Sequence, residues 1–405
     1  MYNKNQPRNI FILLYLFFNT YFLIYYYNDG FLGGDLFGEY EIKNRASLIY
    51  GYLSILVSCL FLFLFFNWFE KVNVFKSQHL NKKGLFYLDI IILLLGVFYF
   101  YGCLKGYYVS LDFSGGVQRP FIFSIVYAVF PIDIMLVIYL FYSFRENSST
   151  LYKINFFIIL ATYLYSGRTG VFLMLFMLLL IFFGRNNKKI SYVKVIGSIF
   201  LGLSLYPFIR PLKEYIPAYI LYFRDKGEPF FSGYLDIWMK NDFATFYLEK
   251  LNSSLERFQQ ISNVTYLIDN YHQVNNFLLN KICYIYSFNW FDLIDGIVNN
   301  YKKPIFFNNL LAQSINGNDT WAAQSGVSGL AFISNESYII YIFVSLILIV
   351  ISIYLSKILD VKIIQLTWLS MVLYIMHGWI GAYILYVEAL IVFSVIVLLL
   401  KVKYK

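Results

Sequence analysis

From Ser47 to Phe69 the chain reads SLIYGYLSILVSCLFLFLFFNWF, without one Asp, Glu, Lys or Arg. Crossing the hydrocarbon core of a bilayer takes about 20 apolar residues as a helix, and a helix satisfies its own backbone hydrogen bonds there. Similar runs recur at roughly 10 to 27, 85 to 104, 121 to 142, 190 to 208 and 337 to 356. Two shorter pairs of apolar arms, at 154 to 166 with 170 to 184 and at 363 to 377 with 380 to 400, complete the set. The expected fold is an all-α polytopic membrane protein with about ten transmembrane helices.

Composition excludes a soluble globular chain: 60% of the 405 residues are hydrophobic, 14% are charged, and mean hydropathy is +0.62. The 39 tyrosines suit the interface, with one end apolar and the other wet. Lys4 and Arg8 precede the first apolar run and no small-residue cleavage site follows, so that run reads as a retained span. The net charge of +9 sits in short basic clusters between apolar runs, which topology explains without nucleic acid.

Placing the N-terminus in the cytoplasm collects Lys4, Arg8, Lys71, Lys82, Lys188, Lys357 and Lys401 on one side. The short outer loops then hold few basic residues and the acids Asp29, Asp35, Glu39, Glu41 and Asp112. Both termini are expected in the cytoplasm. The chain divides into N-terminal spans (1–208), an outward-facing loop region (209–336) and C-terminal spans (337–405). Within the loop region Leu248, Leu251, Leu255, Phe258 and Ile261 recur at helical spacing, and NFLLNKICYIYSFNWFDLI is apolar enough to lie on the bilayer surface. The three cysteines offer neither a pairing framework nor metal-ligand spacing, and no metal or other cofactor is expected.

Against this apolar background, YLYSGRTGVFLM places Arg168 between Gly167 and Gly170. The arms on either side are short for a crossing. Non-helical backbone at membrane depth persists only against protein or a water-filled cavity, so Arg168 is expected to face an outward cavity holding something anionic. The glycines are read as letting the backbone turn and approach closely.

YSGRTG leading into an apolar helix resembles the serine, glycine and arginine signature of the bacterial oligosaccharide repeat-unit polymerases (O-antigen polymerases) and O-antigen ligases. QSGVSGLAFISNESYIIYIF, Gln324 to Phe343, resembles the polymerases' glycines and acidic residue before the span after the large loop. The resemblance implies a GT-C-like fold of polymerase–ligase type in the bacterial inner membrane, with the large loop periplasmic. It also implies a glycosyltransferase acting on undecaprenyl-pyrophosphate-linked repeat units. The growing glycan moves to a sugar hydroxyl of the next unit and lipid pyrophosphate leaves. Expected partners are that lipid-linked oligosaccharide and membrane lipid, with a chain-length regulator and a flippase as candidates.

Such chemistry asks mainly for positioning and for stabilisation of negative charge, and arginine grips phosphate oxygens with a planar, permanently charged fork. Arg210, in YPFIRPLKEY, is a second candidate pyrophosphate contact, with Lys213 beside it. Arg257, in SSLERFQQ, is a third, although Glu249 and Glu256 equally fit a solvated helix face. His272, Glu336 and the acids of the first outer loop are candidates for activating the hydroxyl, and His377, in MHGWIGAY, for lining the cavity. Three other readings stay open. Acids in the first outer loop fit a polyprenyl-linked glycosyltransferase, a ligase shares the arginine signature, and a flippase handles the same lipid-linked unit. The single long loop and absence of two similar halves weigh against the flippase.

Overall fold

The computed structural model describes residues 5–36, 40–72, 79–108, 120–144, 149–166, 170–184, 190–219, 227, 229–240, 242–279, 307–317, 323–333 and 336–403. Among them the fold is all-α except for one small hairpin. Helix α1 (Asn5–Asp29) leads into β1 (Phe31–Leu32) and β2 (Tyr40–Glu41), antiparallel with Phe31 opposite Glu41. There follow α2 (Arg45–Lys71), α3 (Lys82–Leu104), α4 (Phe121–Val129), α5 (Ile132–Ser143), α6 (Thr150–Ser166), α7 (Val171–Phe183) and α8 (Tyr192–Ala218). The loop region holds α9 (Phe230–Met239), α10 (Phe243–Leu255), a 3-10 turn (Glu256–Phe258), α11 (Ile261–Asp269), α12 (Tyr271–Leu279), α13 (Phe307–Asn316) and α14 (Gly326–Leu330). Helices α15 (Glu336–Leu359) and α16 (Val361–Ser370), a π turn (Met371–Met376) and α17 (Ile380–Lys403) close the chain.

This is a multi-pass membrane architecture. Six helices, α1, α2, α3, α8, α15 and α17, are long and apolar enough to cross a bilayer, and the bent pair α4–α5 makes a seventh. Helix α7 and the α16–π-turn arm are apolar but shorter. The bend between α4 and α5 is 42°. Its cause is local: Phe130, preceding Pro131, is held extended (φ −117°, ψ 101°), as the proline ring requires. Asparagine and aspartate side chains start several helices by accepting a backbone N–H: Asn44 from Ala46, Asn81 from Gly84 and Asp360 from Lys362.

Helix α5, apolar all round, is buried at every residue and forms the centre of the bundle. Helix α8 is its opposite, with Val193 80% and Phe200 73% exposed, as on a surface that faces lipid. Polar contacts tie the bundle's basic end together. Buried Arg8 of α1 donates to both carboxylate oxygens of Glu70 on α2 (2.5 and 2.9 Å), and its Nε donates to Gln365 (2.9 Å). The residue counted above as a loop cation is therefore an interhelical tie. Lys357 and Lys362 at the same end donate to carbonyls at helix ends, those of Phe69 (3.1 Å) and Phe144 (2.7 Å).

The loop region differs from its sequence pattern in two places. Helix α8 does not stop near residue 208 but continues through Pro207 and Pro211 to Ala218. The prolines are four residues apart, so both missing N–H groups fall on one face. The periodic run from Leu248 to Ile261 is also broken, because α10 ends at Leu255 and α11 begins at Ile261. Between them Gln259 accepts from the Ser262 N–H (2.9 Å), and Asn19 of α1 accepts from the Gln260 N–H (2.9 Å). Every residue of α11 from Ile261 to Leu267 is buried. It packs on α2 at Gly51, where an added Cβ would lie 3.3 Å from Thr265 Oγ1. Lys43 clamps its end, with N–H donating to Asp269 (3.0 Å) and Nζ to Asn270 (2.6 Å).

Candidate functional site

A cavity of about 1610 Å³ opens among α1, α7 and α8 and reaches the turns that join the helices at the loop end of the bundle. Along α1 it is lined by Phe11, Leu14, Tyr15, Phe18, Tyr25, Tyr26 and Asp29, which fall on one helix face. At 1.5 Å per residue that face covers about 27 Å, close to the thickness of a hydrocarbon core. Phe172 and Phe176 of α7 and Ile199 and Leu203 of α8 form the opposite apolar walls. The loop end is polar, lined by Asp35, Arg210, Glu256, Arg257, Asn263, Gln324 and His377.

Each of these side chains is delivered by a different local device. Arg210 stands on the continued part of α8 and donates to Ser254 Oγ (3.4 Å). Arg257 lies in the 3-10 turn that interrupts the amphipathic pattern; among the described residues its guanidinium has no hydrogen bond or ion pair. Asp35 is held by Asn263 Nδ2 (2.8 Å) and the Gln324 N–H (3.3 Å). Asn263 Nδ2 also donates to the Gln324 carbonyl (2.7 Å), so the turn after α1, α11 and the stretch before α14 meet at one point.

His377 follows the π turn, outside the helices, and its ring meets Trp379 edge-on. Burial pushes its imidazole down to about 4; the Asp35 carboxylate opposes the shift and Arg257 reinforces it. Two glycines set its backbone. Gly326 (φ +62°) and Gly378 (φ +100°) cross so closely that a side chain on either would overlap the other strand's backbone, at Met376 O for the first and Gly326 N for the second. Gln260 bolts this crossing to α1 and α11: its Nε2 donates to Met376 O, and its Oε1 accepts from Tyr15 (2.7 Å) and Ser328 (3.3 Å).

Of the residues singled out in the sequence, Gly170, Arg210, Arg257 and His377 line this cavity together. Gly170 starts α7 with an ordinary helical φ of −58°, and an added Cβ would meet nothing within 4 Å. Neither a turn nor a close approach requires glycine there, which corrects the reason given above. Gly167 and Arg168 lie outside the described residues; Ser166 and Gly170, on either side of them, both line the cavity. Lys213 stands on α8, and Glu336 is the first residue of α15, but their side chains fall outside the described residues. His272 is exposed on α12, its ring against Tyr271, and is not among the lining residues.

Sequence reading missed Gln260, Asn263 and the involvement of Glu256. A usable signal was present: QQISN places polar residues at 259, 260, 262 and 263, where a surface helix should have continued its apolar stripe. Glu256 is half-buried in the cavity, and its carboxyl is raised above the ordinary range chiefly by that burial, with the Gly34 N–H and the Arg210 charge opposing. Comparison of the chain with protein-family models, with curated proteins and with solved structures finds no match.

Proposed function

We propose that this chain is a bacterial inner-membrane polymerase of undecaprenyl-pyrophosphate-linked oligosaccharides, with ten crossings, both termini cytoplasmic and the loop region periplasmic. The observation that carries the reading is Arg257. Its guanidinium, without a protein counter-ion among the described residues, lines the polar end of a cavity whose walls along α1, α7 and α8 are largely apolar over about the depth of a bilayer. An amphipathic ligand with a long hydrocarbon tail and an anionic head matches that profile at both ends. Pyrophosphate on an isoprenoid tail is such a ligand, and the glycan it bears would extend into the space under α10 and α11.

In this reading Arg257, Arg210 and Arg168 hold the pyrophosphate of the donor. Their charge is already oriented when the anomeric bond breaks, so stabilising the departing oxygen needs little reorganisation. His377 and Asn263 line the region where sugars would lie. A flippase would use the same cavity and the same arginines for transport. The polar network around Gln260 and Asp35 favours an enzyme, because it ties α1, α11, α14 and the π turn together at the cavity's polar end.

The test incubates the protein in nanodiscs with lipid-linked oligosaccharide extracted from its source cells and reads product masses. The expected outcome is a ladder spaced by one repeat unit, and Arg257→Ala slows it by about a hundredfold or more, the usual cost of losing one preorganised charge-stabilising donor. If the wild type leaves the oligosaccharide unextended but moves it across a vesicle bilayer, the chain is a transporter.

A further inference from the structure

The cavity contains a carboxylate placed for proton transfer. Glu256 opens the 3-10 turn, and its side chain reaches across to the first outer turn, where its carboxylate packs against Gly33. A side chain at Gly33 would overlap Glu256 Oε1, so the chain keeps that approach clear. Arg257, the next residue, is a cation without a counter-ion among the described residues. One short rigid turn thus presents an acid and a base-stabilised anion site in consecutive residues.

Of the other acids at the cavity's polar end, Asp29 is exposed at the end of α1, and Asp35 and Glu249 are engaged by neighbours. Asp35 spends Oδ2 on Asn263 and on the Gln324 N–H. Glu249 is largely exposed and pairs with Lys250 (3.2 Å). His377, pushed down to about 4, is a weak base. We infer that Glu256 takes the proton from the acceptor sugar's hydroxyl as the glycosidic bond forms. The inference rests on the polymerase reading. The hydroxyl oxygen bonds to the anomeric carbon of the donor, the bond from that carbon to the pyrophosphate oxygen breaks with its electron pair going to pyrophosphate, and the hydroxyl proton passes to the Glu256 carboxylate. Deprotonation by water then restores the carboxylate for the next cycle.

Burial supports this assignment, since a carboxyl held above its ordinary range is a stronger base than a surface acid. Its titration is set chiefly by burial, with Arg210 of α8 and Asp35 acting on its charge, and Tyr25 and Tyr26 of α1 and Arg257 are the other titratable or charged groups around it. Arg210 favours the ionised form and Asp35 the neutral one.

The experiment measures ladder formation against pH for wild type, Glu256→Gln and Glu256→Asp in nanodiscs, with binding of undecaprenyl pyrophosphate measured in parallel. General-base catalysis predicts that Glu256→Gln slows polymerisation by about a hundredfold or more while undecaprenyl pyrophosphate still binds. Glu256→Asp should restore part of the rate, with the acid limb of the pH profile displaced from that of the wild type. If Glu256→Gln keeps the wild-type rate and pH profile, Glu256 is not the base. If binding falls in step with rate, Glu256 only positions Arg210, and the inference fails although the polymerase reading survives. A wild type that forms no ladder overturns both.

Discussion

At the scale of single residues, the polar end of the cavity is a set of groups held by one another rather than by solvent. His377 shows what that does. Its folded-state value of about 4 lies below the ordinary 6.5, so between these values the unfolded chain binds the proton and the folded chain does not. The stability held by neutral His377 is complete above pH 6.5 and is lost as the pH falls from 6.5 towards 4. His377→Gln should remove this loss, leaving a flatter profile through that window in thermal unfolding followed in detergent from pH 8 to 4. Equal slopes for the two proteins would place the acid sensitivity elsewhere. Arg8 makes the complementary point. A lone N-terminal arginine reads as a topology signal, yet its fork matches Glu70 so closely that truncating it would leave a partly buried carboxylate without its partner, a loss below the ~3–5 kcal/mol of a fully buried pair.

At the scale of elements, two glycine-bearing segments that looked similar in sequence have different physics. Gly326 sits in left-handed backbone against Met376 and Gln260, whereas Gly170 sits in ordinary helical backbone facing open space. Gly326→Ala should destabilise the protein by about 2 kcal/mol or more, from the left-handed strain plus the overlap. Gly170→Ala should leave stability unchanged or slightly raised. Melting temperatures of the two variants in one detergent decide it, and a benign Gly326→Ala would mean that the crossing with Gly378 is loose. Periodicity marked the helical arms around Gly170 to within a few residues and did not mark the short helix at Gly326. It could not mark the crossing, because the partner backbone lies some fifty residues away in the chain.

At the scale of the whole molecule, the arrangement places the 28–45 turn and α11 at one end of the bundle, and Arg8, Glu70, Lys71, Lys357 and Lys362 at the other. The proposed orientation puts the first end outside. In spheroplasts of cells carrying a Cys283→Ser background, in which Cys59 and Cys103 are buried, a Glu41→Cys variant should react with a membrane-impermeant maleimide. A Lys71→Cys variant should react only after permeabilisation. The reverse pattern would invert the topology, and reaction of both from outside would mean that α2 does not cross.

The linear chain by itself determined the membrane environment, the helical class, the apolar arms and four residues of the cavity wall. Hydrocarbon solvation and backbone hydrogen bonding act locally, so runs of apolar residues, prolines and isolated charges report on them directly. Only the tertiary structure decided that α11 is core rather than loop, that Glu256 faces a cavity rather than water, and that Gln260 joins four segments. Those outcomes depend on which distant surfaces meet. A polar residue's fate, ligand contact or solvated face, is set by the neighbours that exclude water from it, and in this chain those neighbours come from α1, α8 and the turn after the π helix.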